Sequence, residues 1–301
     1  MPFNDGIPRT HSFSLTDFHE FDYCPFRFFV FHHLGKKYEM AEGSRNLALG
    51  SLLDESIKLF HKTKSYGQPK EYIKNLIQAS CNKMMEKVAK QSSPSFYSAI
   101  KDFLNDDLCE EAAAIFINYY KALDLKIKPA IMEVGFCEWV IETDDPSTGR
   151  SGQVYKLWGG PDTLEMGEDG IPEVVDYKFR ENIEVGKDNM DMDLMPKIYM
   201  LLVCNKLLEK GYKKARFVVR FWQDPKDDSF FEEFDLERVR DFEDIFKERI
   251  EEIFNTSVFK FCEKGFCKAC KSDQRTLFLK ELEDKKLIVI NQDLLFAPGE
   301  V

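Results

Sequence analysis

Gly159-Gly160-Pro161-Asp162 is followed, after 13 intervening residues, by Asp176-Tyr177-Lys178 at the end of the apolar run Val174-Val175. No other feature constrains this chain as tightly. An extended stretch ends near Gly159-Gly160, where missing side chains let another backbone or a ligand come close. Gly167-Glu168-Asp169-Gly170 is a turn cluster, and Ile171–Lys178 reads as the next strand. A hairpin of this kind sets Asp162 beside Asp176. Residues i and i+2 of a strand share a face, so Asp176 and Lys178 project together and Tyr177 points to the other side.

Two neighbouring carboxylates repel unless a positive charge lies between them. A hard divalent cation with oxygen ligands meets that need. Such an ion lowers the pKa of bound water, polarises a phosphoryl oxygen and holds a leaving group. Lys178 would orient the attacking water or stabilise charge developing on a phosphate. Metal-dependent phosphodiester cleavage requires this set of groups. The alternative is a hairpin bearing an ordinary surface Asp–Lys pair. Three further Asp-x-Lys copies, at Asp124, Asp224 and Asp284, have no strand context and read as turns or solvated helix faces.

The chain of 301 residues is long enough for one large domain or two modest ones. With 44% hydrophobic and 14% aromatic residues it is a folded protein. A net charge of -11 argues against coating nucleic acid by bulk charge, though not against a local basic groove. No apolar run approaches the roughly 18 residues of a membrane span. The first residues have neither the basic nor the apolar part of a signal peptide, so a cytoplasmic, reducing compartment is expected. Eight cysteines are too few for a disulfide scaffold. Cys81, Cys109, Cys137 and Cys204 lie in apolar patterns and read as buried small hydrophobes.

Residues 1–130 read as mostly helical, with a capped start at Ser14–Phe18 and helices near Leu47–His61, Tyr72–Lys90 and Ser98–Leu123. Ile131–Glu142, Gln153–Trp158 and Ile171–Lys178 form an expected three-stranded meander. A helix over Met192–Lys210 follows, with Pro196 in its first turn and Gly211 closing it. Ala215–Trp222 is a fourth strand, and Asp235–Phe254 a long charged helix. The predicted class is an α/β fold: helix, meander, helix, strand. The strand–helix–strand step has the length of a parallel crossover. The domain organisation expected is a helical region 1–130, an α/β core 131–225 and a cysteine-bearing cap 226–301.

Gly-Gly-Pro-Asp-Thr followed by Glu-Val-Val-Asp-Tyr-Lys resembles the core motif of the PD-(D/E)XK nuclease superfamily, specifically its RecB-type nuclease domain. The resemblance implies a restriction-endonuclease-like core that binds Mg²⁺ or Mn²⁺ through Asp162 and Asp176, with Lys178 assisting hydrolysis. It implies that the backbone carbonyl of Tyr177 adds a metal ligand. The family's upstream Gly-Thr-x-x-His helix is matched by Gly50-Ser51-Leu52-Leu53-Asp54, with Asp54 in place of histidine. An oxygen ligand suits Mg²⁺ well; the alternative for Asp54 is an i,i+4 pair with Lys58. The Gln-x-x-x-Tyr helix after the catalytic strand is matched by Tyr199, with Met195 where the family has glutamine.

Cys262, Cys267 and Cys270 have metal-site spacing, and Cys24 in Cys24-Pro25-Phe26-Arg27-Phe28, which resembles the family's entry helix, is a candidate fourth thiolate. One nuclease branch, which includes CRISPR-adaptation nucleases and AddB-type subunits, joins such cysteines through a [4Fe–4S] cluster. That likeness favours Fe–S here; spacing alone permits Zn²⁺, and free thiols are the remaining alternative. Lys206, Lys210, Lys213, Lys214, Arg216 and Arg220 are candidate phosphate contacts, or else a solvated charged face. Tyr23, Phe28, Phe29 and Phe31 suit base stacking or, alternatively, the core. His32-His33 reads as a surface pair.

The resemblance implies a DNA nuclease, usually an exonuclease at DNA ends, acting in recombination, repair or related processing. No Walker-type loop is present, so a helicase would be a partner protein. Asp54 and Met195 favour the alternative of a non-catalytic DNA-binding or assembly subunit. A partner acting inside a CRISPR-adaptation complex is a third reading.

Overall fold

The computed structural model describes residues 12–34, 43–90, 99–123, 128, 130–132, 137–145, 150–179, 193–255, 262 and 267–285. Asp124-Leu125-Lys126 and the His33 side chain lie outside them. Among the described residues the chain order is β1 (Ser12–Phe13), α1 (Leu15–Tyr23), α2 (Pro25–Leu34), α3 (Arg45–Lys62), α4 (Lys70–Lys90) and α5 (Asp106–Ala122). Strands β2 (Ala130–Met132), β3 (Cys137–Asp145), β4 (Arg150–Gly159), β5 (Thr163–Met166) and β6 (Pro172–Lys178) follow. Then come α6 (Leu194–Glu209), β7 (Lys214–Phe221), β8 (Asp224–Asp235), α7 (Phe242–Asn255) and α8 (Ser272–Asp284). This is the expected mixed α/β class. The chain divides into two compact units: Ala41–Trp139 with Gly159–Phe242, and Met1–Met40 with Val140–Trp158 and Glu243–Val301.

In the first unit the sheet runs β2-β5-β6-β7-β8. The antiparallel run β2-β5-β6 leads through α6 to β7, which lies parallel to β6. A three-stranded run, a helix and a strand are therefore present, but the middle strand is Thr163–Met166. The expected member Gln153–Trp158 belongs to β4, and most of the expected first strand Ile131–Glu142 to β3, both in a separate sheet of order β1-β4-β3, with only β2 left in this one. The reason lies at Gly159, whose φ of 152° ends β4 in a conformation closed to most side chains and starts the chain afresh at Gly160-Pro161. The helix expected over Asp235–Phe254 is also corrected. Its first residue ends β8, which pairs antiparallel with β7, and the helix begins only at Phe242. The helix expected over Ser98–Leu123 is interrupted because Asn105 caps α5, its Oδ1 accepting from Leu108 N at 3.0 Å.

Helix α6 closes as its sequence predicts. Gly211 has φ of 86°, its N–H donates to Leu208 O at 2.8 Å, and Tyr212 N donates to Leu207 O at 3.1 Å. Pro196 is its third residue, where no intrahelical donor is lost.

The sheet is covered on one face by α3, α4 and α5, whose apolar stripes pack with Val175, Tyr177, Val218 and Trp222. Tyr177 stacks on Trp222 with centroids 5.1 Å apart. Strand alternation puts Asp176 and Lys178 on the opposite face.

Beneath Tyr177 lies a buried polar network that composition did not reveal. Its hydroxyl donates to Glu165 Oε1 at 2.9 Å. Arg220 pairs with Glu165 and donates to Glu173 Oε2 at 2.6 Å, and Lys128 Nζ lies 3.2 Å from that same oxygen. His61 Nε2 is 3.9 Å from Glu165, and His61 Nδ1 shares a 3.0 Å hydrogen bond with Tyr66. Burial lowers the His61 pKa; Glu165 opposes the shift and Arg220 adds to it. Arg220 is thus an interior cation, not the phosphate contact considered above. Arg220→Met would strand Glu165 as a fully buried charge, and we expect about 3 kcal/mol or more of lost stability in urea unfolding.

Candidate active site and thiolate cluster

The β5–β6 hairpin sets the acids. Its turn is closed by Gly167 N donating to Ile171 O at 2.8 Å, with Gly170 at φ of 81°. Thr163 then pairs with Val175, and Asp162 N donates to Val175 O at 3.0 Å. Asp162 Oδ2 accepts the N–H of Tyr177 at 2.8 Å. The backbone between Asp176 and Lys178 therefore holds the other acid.

Two lysines share the site. Lys178 Nζ lies 2.6 Å from Asp176 Oδ2, and Lys58 Nζ lies 2.9 Å from Asp162 Oδ1. Lys58 stands one helical turn after Asp54 on α3, so Asp54 faces the same centre. Burial and then repulsion from Asp162 hold the Asp54 carboxyl well above its ordinary value. Asp176 is raised by burial and by Asp162, with Lys178 opposing. Burial alone would lower both lysines, but the attraction of the acids outweighs it and raises them. Tyr199 comes in from α6, where its ring stacks on Phe217 and its hydroxyl lies in the field of the Asp176 carboxylate. Burial and the three acids together push its pKa well up. A cavity of ≈ 360 Å³ adjoins Asp54, Tyr177 and Lys178, with Leu47, Ser51 and Phe179 among its walls.

The structure thus brings Asp54, Asp162, Asp176, Tyr177, Lys178 and Tyr199 together. It places Lys206 and Arg216 elsewhere. Lys206 Nζ donates to Cys137 Sγ at 3.2 Å. Arg216 pairs with Asp169 and Glu233 and sits opposite Glu173, three residues before Asp176 and about 10 Å back along the sheet. Met195 is buried within α6. Lys58 is the group that sequence reasoning undervalued. Its i+4 spacing from Asp54 suggested a local pair, whereas its ammonium reaches Asp162 on another element.

Three carboxylates supply hard oxygen donors of the type Mg²⁺ and Mn²⁺ take. The two ammoniums now balance part of that charge. Among the described residues, only the four cysteines have all their ligand atoms within 4.8 Å of one another.

Those cysteines lie in the second unit. Pro25 begins α2 directly after Cys24, and Cys24, Cys267 and Cys270 pack among Phe26, Phe29, Val30, Leu279 and Leu282. Cys262 packs against the same cluster. Cys24 Sγ is 3.5 Å from Cys270 Sγ and 3.8 Å from Cys267 Sγ, and accepts from Arg27 N at 3.4 Å. Hydrogen bonds from Cys267 and Cys270 lower the Cys24 thiol to about 4, while both donors are raised. One thiolate is stabilised at the expense of the others, so ionising all four needs a cation. The donor set fits a thiolate-bound metal centre. Sulfurs bound at about 2.3 Å to one tetrahedral ion sit about 3.8 Å apart, which matches the spacing seen. The other four cysteines, Cys81, Cys109, Cys137 and Cys204, are buried. His32 is not a surface residue: its ring packs on Phe28 and its Nε2 lies 3.2 Å from Asp17.

Residues 12–275 match the family model of the PD-(D/E)XK nuclease superfamily. The chain belongs to that superfamily. No curated protein matches the sequence. A solved structure, that of SSO0001, aligns with 55% of this chain and 84% of its own at 14% identity; its TM-score of 0.20 is too low to show a shared fold. The matched range spans this nuclease-superfamily chain from β1 into α8, and so includes both the acid–lysine centre and the cysteines. Among the described residues no helix is long and apolar enough to cross a membrane.

The raised acids make a testable statement about the metal-free protein. A carboxyl raised on folding binds its proton more tightly in the folded state, so its own contribution to stability is greatest at acidic pH. It falls as pH rises from the unfolded value, about 4, through the folded one. Asp54→Asn removes that penalty. In chelator at neutral pH the variant should melt a few degrees above wild type. Mn²⁺ should raise the wild-type melting temperature and leave the variant's nearly unchanged.

Proposed function

We propose that this chain is a Mg²⁺- or Mn²⁺-dependent deoxyribonuclease, working as an exonuclease at DNA ends in recombination, repair or related processing. One observation carries the reading. A hairpin sets two acids of the nuclease superfamily side by side, ties one to the backbone beside the other, and adds Lys178 on the same strand face. Asp54, Asp162 and Asp176 would hold the divalent ion, which supplies an acidified water and charge neutralisation at the phosphate. Burial is outweighed by the acids and the Lys178 proton is held more tightly, which supports a role for its ammonium in stabilising charge on the scissile phosphate. Tyr199 on α6 adds a hydroxyl beside the acids, where it would contact substrate. A helicase or a recombination partner protein would supply strand separation where it is needed.

Asp176→Ala and Lys178→Ala should each lower metal-dependent cleavage of single- or double-stranded DNA by a hundredfold or more, with the circular-dichroism spectrum unchanged. Wild-type protein that binds DNA but never cuts it would instead mark a non-catalytic assembly subunit.

The thiolate centre is proposed as a [4Fe–4S] cluster holding Cys24 to Cys262, Cys267 and Cys270, on the likeness of the N-terminal Cys-Pro helix and the C-terminal Cys-x-x-Cys pair to the iron–sulfur branch, with Cys262 before that pair serving where the branch has a cysteine after it. The close sulfur spacing favours a second reading, one tetrahedral Zn²⁺. Protein purified without oxygen should be brown and carry about four irons per chain. Colourless protein with one Zn²⁺ per chain would establish the second reading.

A further inference from the structure

We propose that Lys58 is a counter-ion built into the metal site: it occupies Asp162 until a divalent cation binds, and then serves as a ligand for the substrate phosphate. The second half rests on the nuclease reading above.

The geometry of Asp162 carries the proposal. Its Oδ2 is engaged by Tyr177 N at 2.8 Å, a bond fixed by the hairpin. Its Oδ1 faces Lys58 Nζ at 2.9 Å. Oδ1, the oxygen without the backbone donor, is the one open to a cation, and an ammonium held on it repels a divalent ion at close range. The two are therefore competitors for a single atom. Lys58 is suited to leave. Its side chain is 46% exposed, against 26% for Lys178. It also projects from α3 and not from the strand that carries Asp176, so its flexible side chain can swing away without disturbing β6.

Charge explains why such a lysine is needed. Three acids converge on a site whose partners are two ammoniums. Without Lys58, Asp162 and Asp54 would face each other less well neutralised whenever the metal is absent. Once a cation takes over that neutralisation, the ammonium of Lys58 is surplus. A phosphate brought to the centre is the nearest new anion for it. DNA and metal then assist each other, since a phosphate that draws Lys58 away frees Asp162 Oδ1.

The test measures metal binding and cleavage separately on the full chain. Free Mn²⁺ is followed by its electron paramagnetic resonance signal, without DNA, in wild type, Lys58→Met and Lys58→Arg. Lys58→Met should bind Mn²⁺ about fivefold or more tightly, as expected for removing one positive charge at contact range. Lys58→Arg should stay near wild type. Equal or weaker Mn²⁺ binding by Lys58→Met overturns the counter-ion role. At saturating Mn²⁺, Lys58→Met should lose about tenfold or more in kcat/KM for DNA, as for a lost charge-assisted phosphate contact, and Lys58→Arg should retain most of it. Unchanged kcat/KM in Lys58→Met overturns the phosphate role. Wild type that cuts no DNA sinks the nuclease reading, and the Mn²⁺ comparison still decides the counter-ion role.

Discussion

The hydrogen bond from Tyr177 N to Asp162 Oδ2 is the contact on which the site depends. It joins two acids that repel each other through a backbone group lying between Asp176 and Lys178. Because the donor belongs to the peptide backbone, its place is set by strand register, and the register is set by the Gly167–Gly170 turn. Like charges are thus kept close by backbone geometry, and the electrostatic cost appears as raised acids and strongly held lysine protons. A site in that state gains by taking up a cation.

Strand β6 serves two environments at once. Its odd-numbered residues Val175 and Tyr177 anchor the core under α3, α4 and α5, while Asp176 and Lys178 face the cleft. Tyr177 connects them, with its N–H on Asp162 and its hydroxyl on Glu165. The Glu165–Arg220–Glu173 network ties β5, β6 and β7 together from below. Register in this sheet is consequently held by buried charge as well as by the ladder. A slip of one residue would turn Tyr177 into the cleft and the acids into the core.

The cysteine cluster solves a different problem. Cys24 and Cys270 are 246 residues apart in the chain, yet their sulfurs are 3.5 Å apart. Thiols so close compete for protons, so the cluster is poorly matched to four free thiols and well matched to a cation. Within its unit the aromatic face of α2 and the apolar face of α8 close over it. Phe29 and Phe31 are core residues there, whereas Tyr23 is exposed.

Much of this was legible in the amino-acid order. Gly167–Gly170 marked the hairpin, strand alternation put Asp176 and Lys178 on one face, and Gly211 closed α6. Three candidate cysteines were evident from spacing, and Cys24 from the likeness of its Cys-Pro step to the family's entry helix. Other features were hidden because they depend on distant partners. Thr163–Met166 is too short to announce itself, and becomes a strand only through its pairing with β6. Residues 224–235 carry many charges, and only the ladder to β7 makes them extended. Arg220 and Arg216 look alike in a row of basic residues. Position in the sheet makes one an interior cation and the other a rim group held by Asp169 and Glu233. By itself the sequence carried the motif that resembles the nuclease superfamily and the hairpin that holds it, since acids, lysine and turn glycines are local. Only the tertiary structure decided which oxygen of Asp162 is free of backbone donors and which lysine stands on it, because those contacts join α3 to the hairpin across a hundred residues of chain.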